Sequence, residues 1–240
     1  MDGGSTDRTI EIIKKYTSQI AYWESCPDQG QSHAINKGFL RAKGSILAWL
    51  NSDDQYMPDS VETAVKTLSN KPNIDIVYGD ILIISECGEP LNLIKSIPFH
   101  YKTLRHSTCL IPQPTSFFRR SVIDKVGLLD TSLHYQMDVE FFIRMGSFGL
   151  KFANIRKVLA LYRIHADAKN VSQYGSKVQV ANKNIKERYL QNRLRRKAIS
   201  DSYLRRMEHL YRFRSYIVRT LTRGFVVPFQ TKRSLKSISK

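Results

Sequence analysis

Residues 44–54 read GSILAWLNSDD, in which five consecutive apolar residues are followed at once by polar and acidic ones. An uninterrupted apolar run of this length is typical of a strand that is covered on both faces of a parallel sheet. We therefore predict a strand over Ser45–Leu50 that ends at the polar residues 51–55. Asp53 and Asp54 then follow the carboxyl end of a buried strand, which is the edge where open α/β sheets bind ligands.

The adjacent carboxylates of Asp53 and Asp54 suit a hard divalent cation such as Mg²⁺ or Mn²⁺, and such an ion would bridge a diphosphate. The alternative is a solvated acidic loop that caps the helix after Pro58. The spacing of the two aspartates does not decide between these interpretations.

Strand and helix patterns alternate on both sides of this segment, which indicates an α/β sheet. The predicted strands are Ile20–Trp23, Ser45–Leu50, Ile74–Tyr78 and Ile81–Ile84, with a turn at Cys87–Pro90. Apolar residues at helical spacing predict helices over Ile10–Tyr16, Ser32–Ala42, Asp59–Leu68 and Met137–Met145, and a long basic helix from Val178.

The positive charge of the chain is concentrated at its end. The 240 residues carry a formal net charge of +17. From Tyr174 onward there are 18 Lys and Arg residues against three acidic ones, whereas the preceding part has 20 against 18. The hydrophobic content of 42% is enough for one sizeable α/β domain and an appendage. We therefore predict one nearly neutral globular domain and a basic tail.

The three cysteines lack metal-ligand spacing and are odd in number, which argues against a zinc site or a disulfide framework. The sequence also has no apolar run of about 20 residues and no signal-peptide core at its start. These features favour a cytoplasmic protein.

Three segments in order give a more specific indication: DGGSTDRT at residues 2–9, DQGQSHAINKGF at 28–39, and GSILAWLNSDD at 44–54. Together they closely resemble the family 2 glycosyltransferases, and the resemblance extends over about Asp2 to His165. It implies a GT-A fold, a Rossmann-like mixed sheet flanked by helices. The implied catalytic domain is residues 1–173, followed by a basic helical tail at 174–240. Family members begin with a further strand and helix, so we expect the first βα unit to be missing here.

The resemblance also implies the donor site. The acidic motif of the family, which binds a divalent ion and the diphosphate of the nucleotide sugar, corresponds to Asn51, Asp53 and Asp54. Asp54 is expected to be the direct ligand of Mn²⁺ or Mg²⁺, with Asp53 at the ribose, the sugar or the ion. The implied nucleotide-sugar-binding residues are Asp2, Asn36, Lys37, Asn51 and Asp53. His165, in the segment that closes the family's catalytic domain, is the third expected metal ligand.

Asp138 in YQMDVEFFIR (135–144) resembles the general base of the family, at the start of a helix on the acceptor side. An inverting transfer needs a carboxylate that takes the proton of the acceptor hydroxyl. The plain alternative is that Asp138 caps its helix and Glu140 pairs with Arg144 at i,i+4. Residues 113–120 resemble a wall of the acceptor pocket, or form an edge strand after a turn, and Arg119 or Arg120 could approach the diphosphate.

The tail mixes cations with aromatic and aliphatic residues, as in an amphipathic helix on an anionic membrane surface. Packing on the catalytic domain is the second interpretation, and nucleic-acid binding the third.

The sequence thus predicts an inverting, metal-dependent transferase that uses a nucleoside-diphosphate sugar, UDP-linked, in cell-surface polysaccharide synthesis. Its acceptor would be a glycan or a lipid-linked sugar, reached from the inner face of the plasma membrane. The rival hypotheses are an inactive transferase fragment that acts as a binding protein, a basic nucleic-acid-binding module, and a nucleotidyltransferase. The last is disfavoured because no Gly-rich phosphate loop lies near the N-terminus.

Overall fold

The computed structural model describes residues 1–106, 111–166, 176–191, 206–207, 209–211 and 213. In these residues the centre of the molecule is one mixed sheet of six strands. The strands are β1 (Ile46–Leu47), β2 (Gln55–Tyr56), β3 (Ile76–Ile84), β4 (Pro90–Ile94), β5 (Phe117–Arg119) and β6 (Phe152–Arg163). The helices are α1 (Thr9–Lys15), α2 (Gln31–Arg41), α3 (Ser60–Asn70), α4 (Tyr101–His106), α5 (Ser121–Val126), α6 (Met137–Ser147) and α7 (Ser176–Gln191).

The strand order is β1-β5-β3-β6-β2, with β4 paired to β3. The long strands β3 and β6 are parallel, and the other pairs are antiparallel. Because β2 pairs with β6 with Gln55 opposite Leu161, the loop that precedes β2 lies beside the end of β6. This pairing brings residues 51–54 next to residues 163–165.

The structure joins the two strands predicted at 74–78 and 81–84 into the single strand β3. Gly79 interrupts the apolar pattern but does not end the strand. A Cβ atom there would lie 2.6 Å from the Lys157 carbonyl oxygen, so a glycine is needed where β3 and β6 approach closely. The pairing register shifts at this point.

Two other strand predictions differ from the structure. The strand predicted over Ser45–Leu50 is reduced to Ile46–Leu47, and Ile20–Trp23 is not a strand. Near the latter segment, a single parallel bridge joins Asp2 to Ser25. Most of β6 and all of β4 were not predicted, because their alternation of buried and exposed residues is weak. The helices predicted at 10–16, 32–42, 59–68 and 137–145 are confirmed to within two residues.

Helices cover both faces of the sheet. On one face, Phe39 of α2 and Phe141 of α6 pack edge-to-face around Trp49 and Phe118. On the other face, α3 packs against Val77, Phe117 and Leu159, among others. Neighbouring residues of one strand point to opposite faces, as Phe117 and Phe118 do. The result is a three-layer α/β arrangement.

The described beginning of the basic tail, α7, packs against the helices α4 and α6. Val178 and Ile185 are buried there, and Arg188 forms an ion pair with Asp130 at 2.8 Å. This contact corresponds to the second interpretation of the tail for these residues. The aromatic and basic residues at 192–205 and 214–240, on which the membrane hypothesis depends, lie outside the described residues. In the described ranges, no helix is long and apolar enough to cross a membrane.

Candidate active site

Asp54 is the most enclosed carboxylate of the strand-end loop and is only 5% exposed. Its Oδ1 accepts a hydrogen bond from the Arg163 amide at 3.3 Å, and its Oδ2 accepts one from the Asn51 side-chain amide at 3.2 Å. Burial, together with the charge of the adjacent Asp53, raises the pKa of Asp54 to about 6, and the two hydrogen bonds offset part of this rise. A carboxylate in this state gains stability from a proton or a cation.

Asp53 points to the end of β6, where its Oδ2 lies 3.2 Å from Nε2 of His165. The guanidinium group of Arg163 donates to the backbone carbonyl oxygens of Asp53, Ser85 and Glu86, which holds the loop against the sheet. In the described residues, no three His, Cys, Asp or Glu side chains converge as a metal-ligand cluster. Asp53, Asp54 and His165 nevertheless have the donor atoms that Mn²⁺ or Mg²⁺ accepts. The raised pKa of Asp54 is caused first by burial and second by the charge of Asp53, and a bound cation would offset both effects.

Helix α2 connects this loop to the second predicted site. Its N-cap residue is Gly30 with φ 106°, a conformation that favours glycine, and Asp28 accepts a hydrogen bond from the Gly30 amide at 2.7 Å. In the first turn, Gln31 donates to the Asn51 side-chain oxygen at 2.8 Å. Ser32, the next residue, donates to Sδ of Met137 at 2.8 Å. The first turn of α2 thus touches the strand-end loop on one side and the start of α6 on the other.

Asp138 lies in the first turn of α6, one residue after Met137. Burial raises the pKa of its carboxyl group, and the amides of Val139 and Asp138 offset part of the rise. In the described part of the chain, no side chain forms a hydrogen bond or ion pair with this carboxylate. Gln136, which precedes the helix, has φ 59° and ψ 26°. This left-handed conformation is strained for a residue with a Cβ atom and is often found at functional sites.

Of the plain alternative for this segment, the structure contains the Glu140–Arg144 ion pair but not a cap by Asp138. The N-cap position of α6 is Gln136, and no side chain caps the helix. Glu140 and Arg144 do form the i,i+4 ion pair, at 2.9 Å. Glu140 is only 2% exposed and also accepts a hydrogen bond from the Tyr189 hydroxyl group of α7. Glu140 is therefore saturated by its neighbours, whereas Asp138 is not.

Two residues of α2 that were predicted to bind the nucleotide sugar already have partners within the protein. The side-chain amide of Asn36 donates to the carbonyl oxygen of Leu129 and accepts from its amide, both at 2.9 Å. Lys37 lies 2.8 Å from Glu24 and 2.9 Å from Sγ of Cys26. The Cys26 and Glu24 contacts raise the pKa of Lys37. These bonds tie α2 to neighbouring loops, and a role of either residue at the nucleotide sugar stays a prediction.

Asp2 holds the opening loop. Its carboxylate accepts hydrogen bonds from the amides of Gly4 and Ser5 and from the hydroxyl groups of Ser5 and Ser25, at 2.5–3.0 Å. The hydroxyl group of Ser25, followed by that of Ser5, holds the pKa of Asp2 well below its usual range. Since a carboxylate has about four acceptor positions, its capacity is filled in this structure. Reading of a base by Asp2 stays a prediction.

The predicted site residues thus form two linked groups and one separate group. Asn51, Asp53, Asp54 and His165 make up the strand-end cluster. Met137, the residue before Asp138, is connected to this cluster through the first turn of α2. Asp2 and Lys37 meet through Cys26, whose amide donates to the Asp2 carbonyl oxygen. Sequence reasoning missed the linking role of Gln31 and Ser32, although both belong to the 28–39 segment.

The segment 113–120 forms a turn and then β5, as the second interpretation predicted, but β5 lies between β1 and β3 and is therefore not an edge strand. Its role as a wall of the acceptor pocket stays a prediction. Gln113 donates to the Trp49 carbonyl oxygen at 2.8 Å, next to the strand-end loop. Arg119 and Arg120 lie at the other end of the sheet. Arg119 donates to carbonyl oxygens after α3, and Arg120 to those of Ala42 and Gly44, which precede β1. The expectation that they approach a diphosphate held by Asp53 and Asp54 is wrong, since those aspartates follow β1.

Known proteins share both the sequence pattern and the fold. An uncharacterized glycosyltransferase of Mycobacterium tuberculosis is 32% identical over 149 residues, covering 60% of this chain and 55% of the relative. One of Methanocaldococcus jannaschii is 26% identical over 170 residues, covering 68% of this chain and 58% of the relative. The PGL/p-HBAD biosynthesis glycosyltransferase of Mycobacterium bovis is 26% identical over 151 residues, with 60% and 56% covered. The chain therefore spans a little over half the length of these relatives.

Solved structures confirm the GT-A fold. S. aureus TarS 1-349 in complex with UDP-GlcNAc superposes with a TM-score of 0.56 at 14% identity, covering 98% of this chain and 66% of that one. A mannosyltransferase from Pyrobaculum calidifontis in complex with GDP-Man and Mn2+ gives a TM-score of 0.52 at 13% identity, covering 99% and 73%. The sequence model described as glycosyl transferase family 2 matches residues 1–127, more than half of the chain. With the motifs, the fold and this match in agreement, the chain belongs to glycosyl transferase family 2.

Proposed function

We propose that this chain transfers a sugar from a nucleoside-diphosphate sugar, UDP-linked, to a hydroxyl group of a glycan or lipid-linked acceptor. The transfer inverts the anomeric carbon, depends on a divalent cation and serves cell-surface polysaccharide synthesis. The observation that carries the proposal is the first turn of α2, which contacts both the strand-end cluster and the start of α6. Two carboxylates of different character, Asp54 and Asp138, are thereby linked by adjacent residues of one helix.

In this proposal the strand-end cluster binds the nucleotide-sugar donor. Asp53, Asp54 and His165 would hold Mn²⁺ or Mg²⁺, and a bound cation supplies charge neutralisation for the diphosphate leaving group. The solved complexes of neighbours with UDP-GlcNAc and with GDP-Man and Mn2+ support a donor of this class. Asn51 keeps Asp54 in place through its side-chain amide and bonds to Gln31, so it orients the carboxylate from α2.

In this proposal Asp138 is the general base that acts on the acceptor. Its carboxylate takes the proton of the acceptor hydroxyl while that oxygen forms a bond to the anomeric carbon. The bond between this carbon and the diphosphate oxygen breaks, and the nucleoside diphosphate leaves with the electron pair. A carboxylate with a raised pKa and no competing side-chain donor is suited to this proton transfer.

The acceptor and the location are the least constrained parts of the proposal. The M. bovis relative, named for PGL/p-HBAD biosynthesis, supports a biosynthetic role. We place the reaction at the cytoplasmic face of the membrane, because the basic residues after α7 would favour an anionic surface close to a lipid-linked acceptor.

Calorimetric titration of the purified chain with UDP, GDP, dTDP and CDP, each with and without Mn²⁺, tests the donor assignment. We expect one nucleotide to bind with micromolar affinity only when Mn²⁺ is present. Asp54→Ala should weaken this binding by at least about tenfold, because the cation loses a charged ligand. Asp124→Ala removes an exposed aspartate of α5 and should bind like the wild type. Binding by Asp54→Ala equal to that of Asp124→Ala would contradict the donor site.

A further inference from the structure

Arg105 in α4 is buried and lacks the partners that the other enclosed arginines have. It is 8% exposed. A guanidinium group has five N–H donors and stays charged in proteins. In the described residues, Nε and Nη1 of Arg105 have no hydrogen-bond partner, and Nη2 meets only the His106 ring nitrogen at 3.0 Å. Two of its three nitrogens are therefore enclosed without an acceptor.

Four other arginines show how this protein stabilises a guanidinium group that contacts several parts of the backbone. Each of them donates to two or more backbone carbonyl oxygens, and one also pairs with a carboxylate; they are Arg119, Arg120, Arg144 and Arg163. Arg105 has none of these bonds within the described ranges. An unpaired buried charge costs several kcal/mol, so its retention needs a compensating interaction.

The described neighbours of the Arg105 guanidinium group are aromatic rings. Its guanidinium carbon lies 5.6 Å from the centre of the Tyr101 ring. The adjacent His106 is stacked on Tyr211, with ring centroids 5.3 Å apart. Among the described ion pairs, none joins Arg105 to a carboxylate. An anion that reaches Nε and Nη1 would find donors without an acceptor and, among the described residues, no carboxylate paired with the arginine.

The position of α4 suggests which molecule supplies the anion. The helix lies between Ile84 and Pro112, a region that contains none of the donor-site residues implied by the family resemblance. Thr103 and Leu104, the residues before Arg105, line a small pocket of about 20 Å³ together with His100 and Ile111, which is room for about one water molecule. The donor diphosphate, in contrast, is assigned to the strand-end cluster.

We propose that Arg105 anchors an oxyanion-binding site, and that its ligand is a phosphate group carried by the acceptor. The oxyanion site stands on the unpaired guanidinium alone, whereas its assignment to the acceptor rests on the proposed transferase function. Arginine suits this role because its planar donor array matches phosphate oxygens.

The test compares the complete chain with Arg105→Met, which keeps the length of the side chain and removes the charge. Thermal unfolding is measured in an anion-poor buffer and with inorganic phosphate, glycerol 1-phosphate or acetate added at matched ionic strength. We expect the phosphates to raise the wild-type melting temperature by about 2–5 °C, since a ligand that binds only the folded state stabilises it. In Arg105→Met this rise should vanish, while the melting temperature without anions should equal or exceed that of the wild type.

Three outcomes would overturn the site: a phosphate response that persists in Arg105→Met, a lower melting temperature or failure to fold of this variant without anions, and a response to acetate equal to that of the phosphates. The last would show a carboxylate site.

Arg105→Lys keeps a charge and should retain a weaker phosphate response. Calorimetry with UDP and Mn²⁺ separates the two proposals, because Arg105→Met should bind UDP within about twofold of the wild type. Loss of UDP binding only in this variant would assign Arg105 to the donor, and absence of UDP binding in both proteins would contradict the donor site and leave the phosphate result standing.

Discussion

The strand-end loop and the start of α6 each contain an aspartate with a raised pKa, the buried Asp54 and the half-buried Asp138, but the two aspartates have different neighbours. Asp54 lies beside a second carboxylate, Asp53, with His165 close by and two hydrogen-bond donors on its oxygens. Asp138 has only backbone amides of its own helix, and the nearby Glu140 is occupied by Arg144 and Tyr189. A carboxylate among other metal-binding groups favours a cation, whereas an isolated one favours a proton. The two regions therefore suit the two halves of a sugar transfer.

The largest expected effect follows from removing the isolated carboxylate. Asp138→Asn should lower the turnover of the nucleotide sugar by about 10²–10⁴-fold, which is the usual contribution of a general base. The measurement is release of the nucleoside diphosphate from its sugar conjugate. Asp124→Asn, an exposed aspartate on α5, serves as the matched control. Equal turnover in the two variants would remove the distinction between the regions.

The pH dependence of turnover sharpens the same distinction. Burial raises the pKa of Asp138, so this residue keeps its proton to a higher pH than an ordinary aspartate of pKa 3.8. A base must be deprotonated to act, and turnover should therefore fall about tenfold for each pH unit below the raised pKa. A pH–rate profile of the wild type is expected to show this acid limb above pH 4. The pH–rate profile of the residual activity of Asp138→Asn should lack this acid limb. If the limb persists in the variant, it arises from the titration of another group.

A smaller effect concerns the saturated neighbour of Asp138. Tyr189→Phe removes a hydrogen-bond donor from the buried Glu140 carboxylate and should lower the free energy of unfolding by about 1–3 kcal/mol. Tyr22→Phe removes a hydrogen bond to Glu24 from an exposed tyrosine and should change the free energy of unfolding much less. Chemical denaturation of both variants measures the difference. Equal losses would mean that α7 does not hold α6 through this bond.

The smallest expected effect is a stabilisation. The folded-state pKa of Asp54, about 6, exceeds the ordinary value of 3.8, so the carboxyl group favours folding when protonated and loses that contribution as the pH rises through 6. Without metal or nucleotide, Asp54→Asn should therefore melt about 2–4 °C above the wild type at pH 8, with a gap that closes between pH 6 and pH 4. Calorimetric scans at several pH values check this, and a lower melting temperature of the variant at pH 8 would contradict it.

Much of the fold could be predicted from the sequence, because its helices have clear apolar periodicity and its motifs occur in a specific order. The strand-end position of Asp53 and Asp54 followed from a single apolar run. The joined strand β3 could not be predicted, since Gly79 normally interrupts a strand and is needed here only because β6 passes so closely. Strand β4 has too little alternation to be recognised.

The site residues were predicted by type, but their partners were not. Asp2 accepts four hydrogen bonds, Asn36 is hydrogen-bonded to the backbone of Leu129, and Lys37 forms an ion pair with Glu24. These contacts join loops or segments that are distant in the sequence. The strain at Gln136 and the unpaired donors of Arg105 are equally invisible in a sequence, because each is a property of three-dimensional packing.

The most direct test of the two-region account is a paired measurement on Asp54→Asn and Asp138→Asn: calorimetric binding of UDP in the presence of Mn²⁺. The account predicts that Asp54→Asn binds at least about tenfold more weakly than the wild type, whereas Asp138→Asn binds within about twofold of it. Equal weakening in both variants, or wild-type binding by Asp54→Asn, would contradict the division of the site into a cation-binding and a proton-accepting carboxylate.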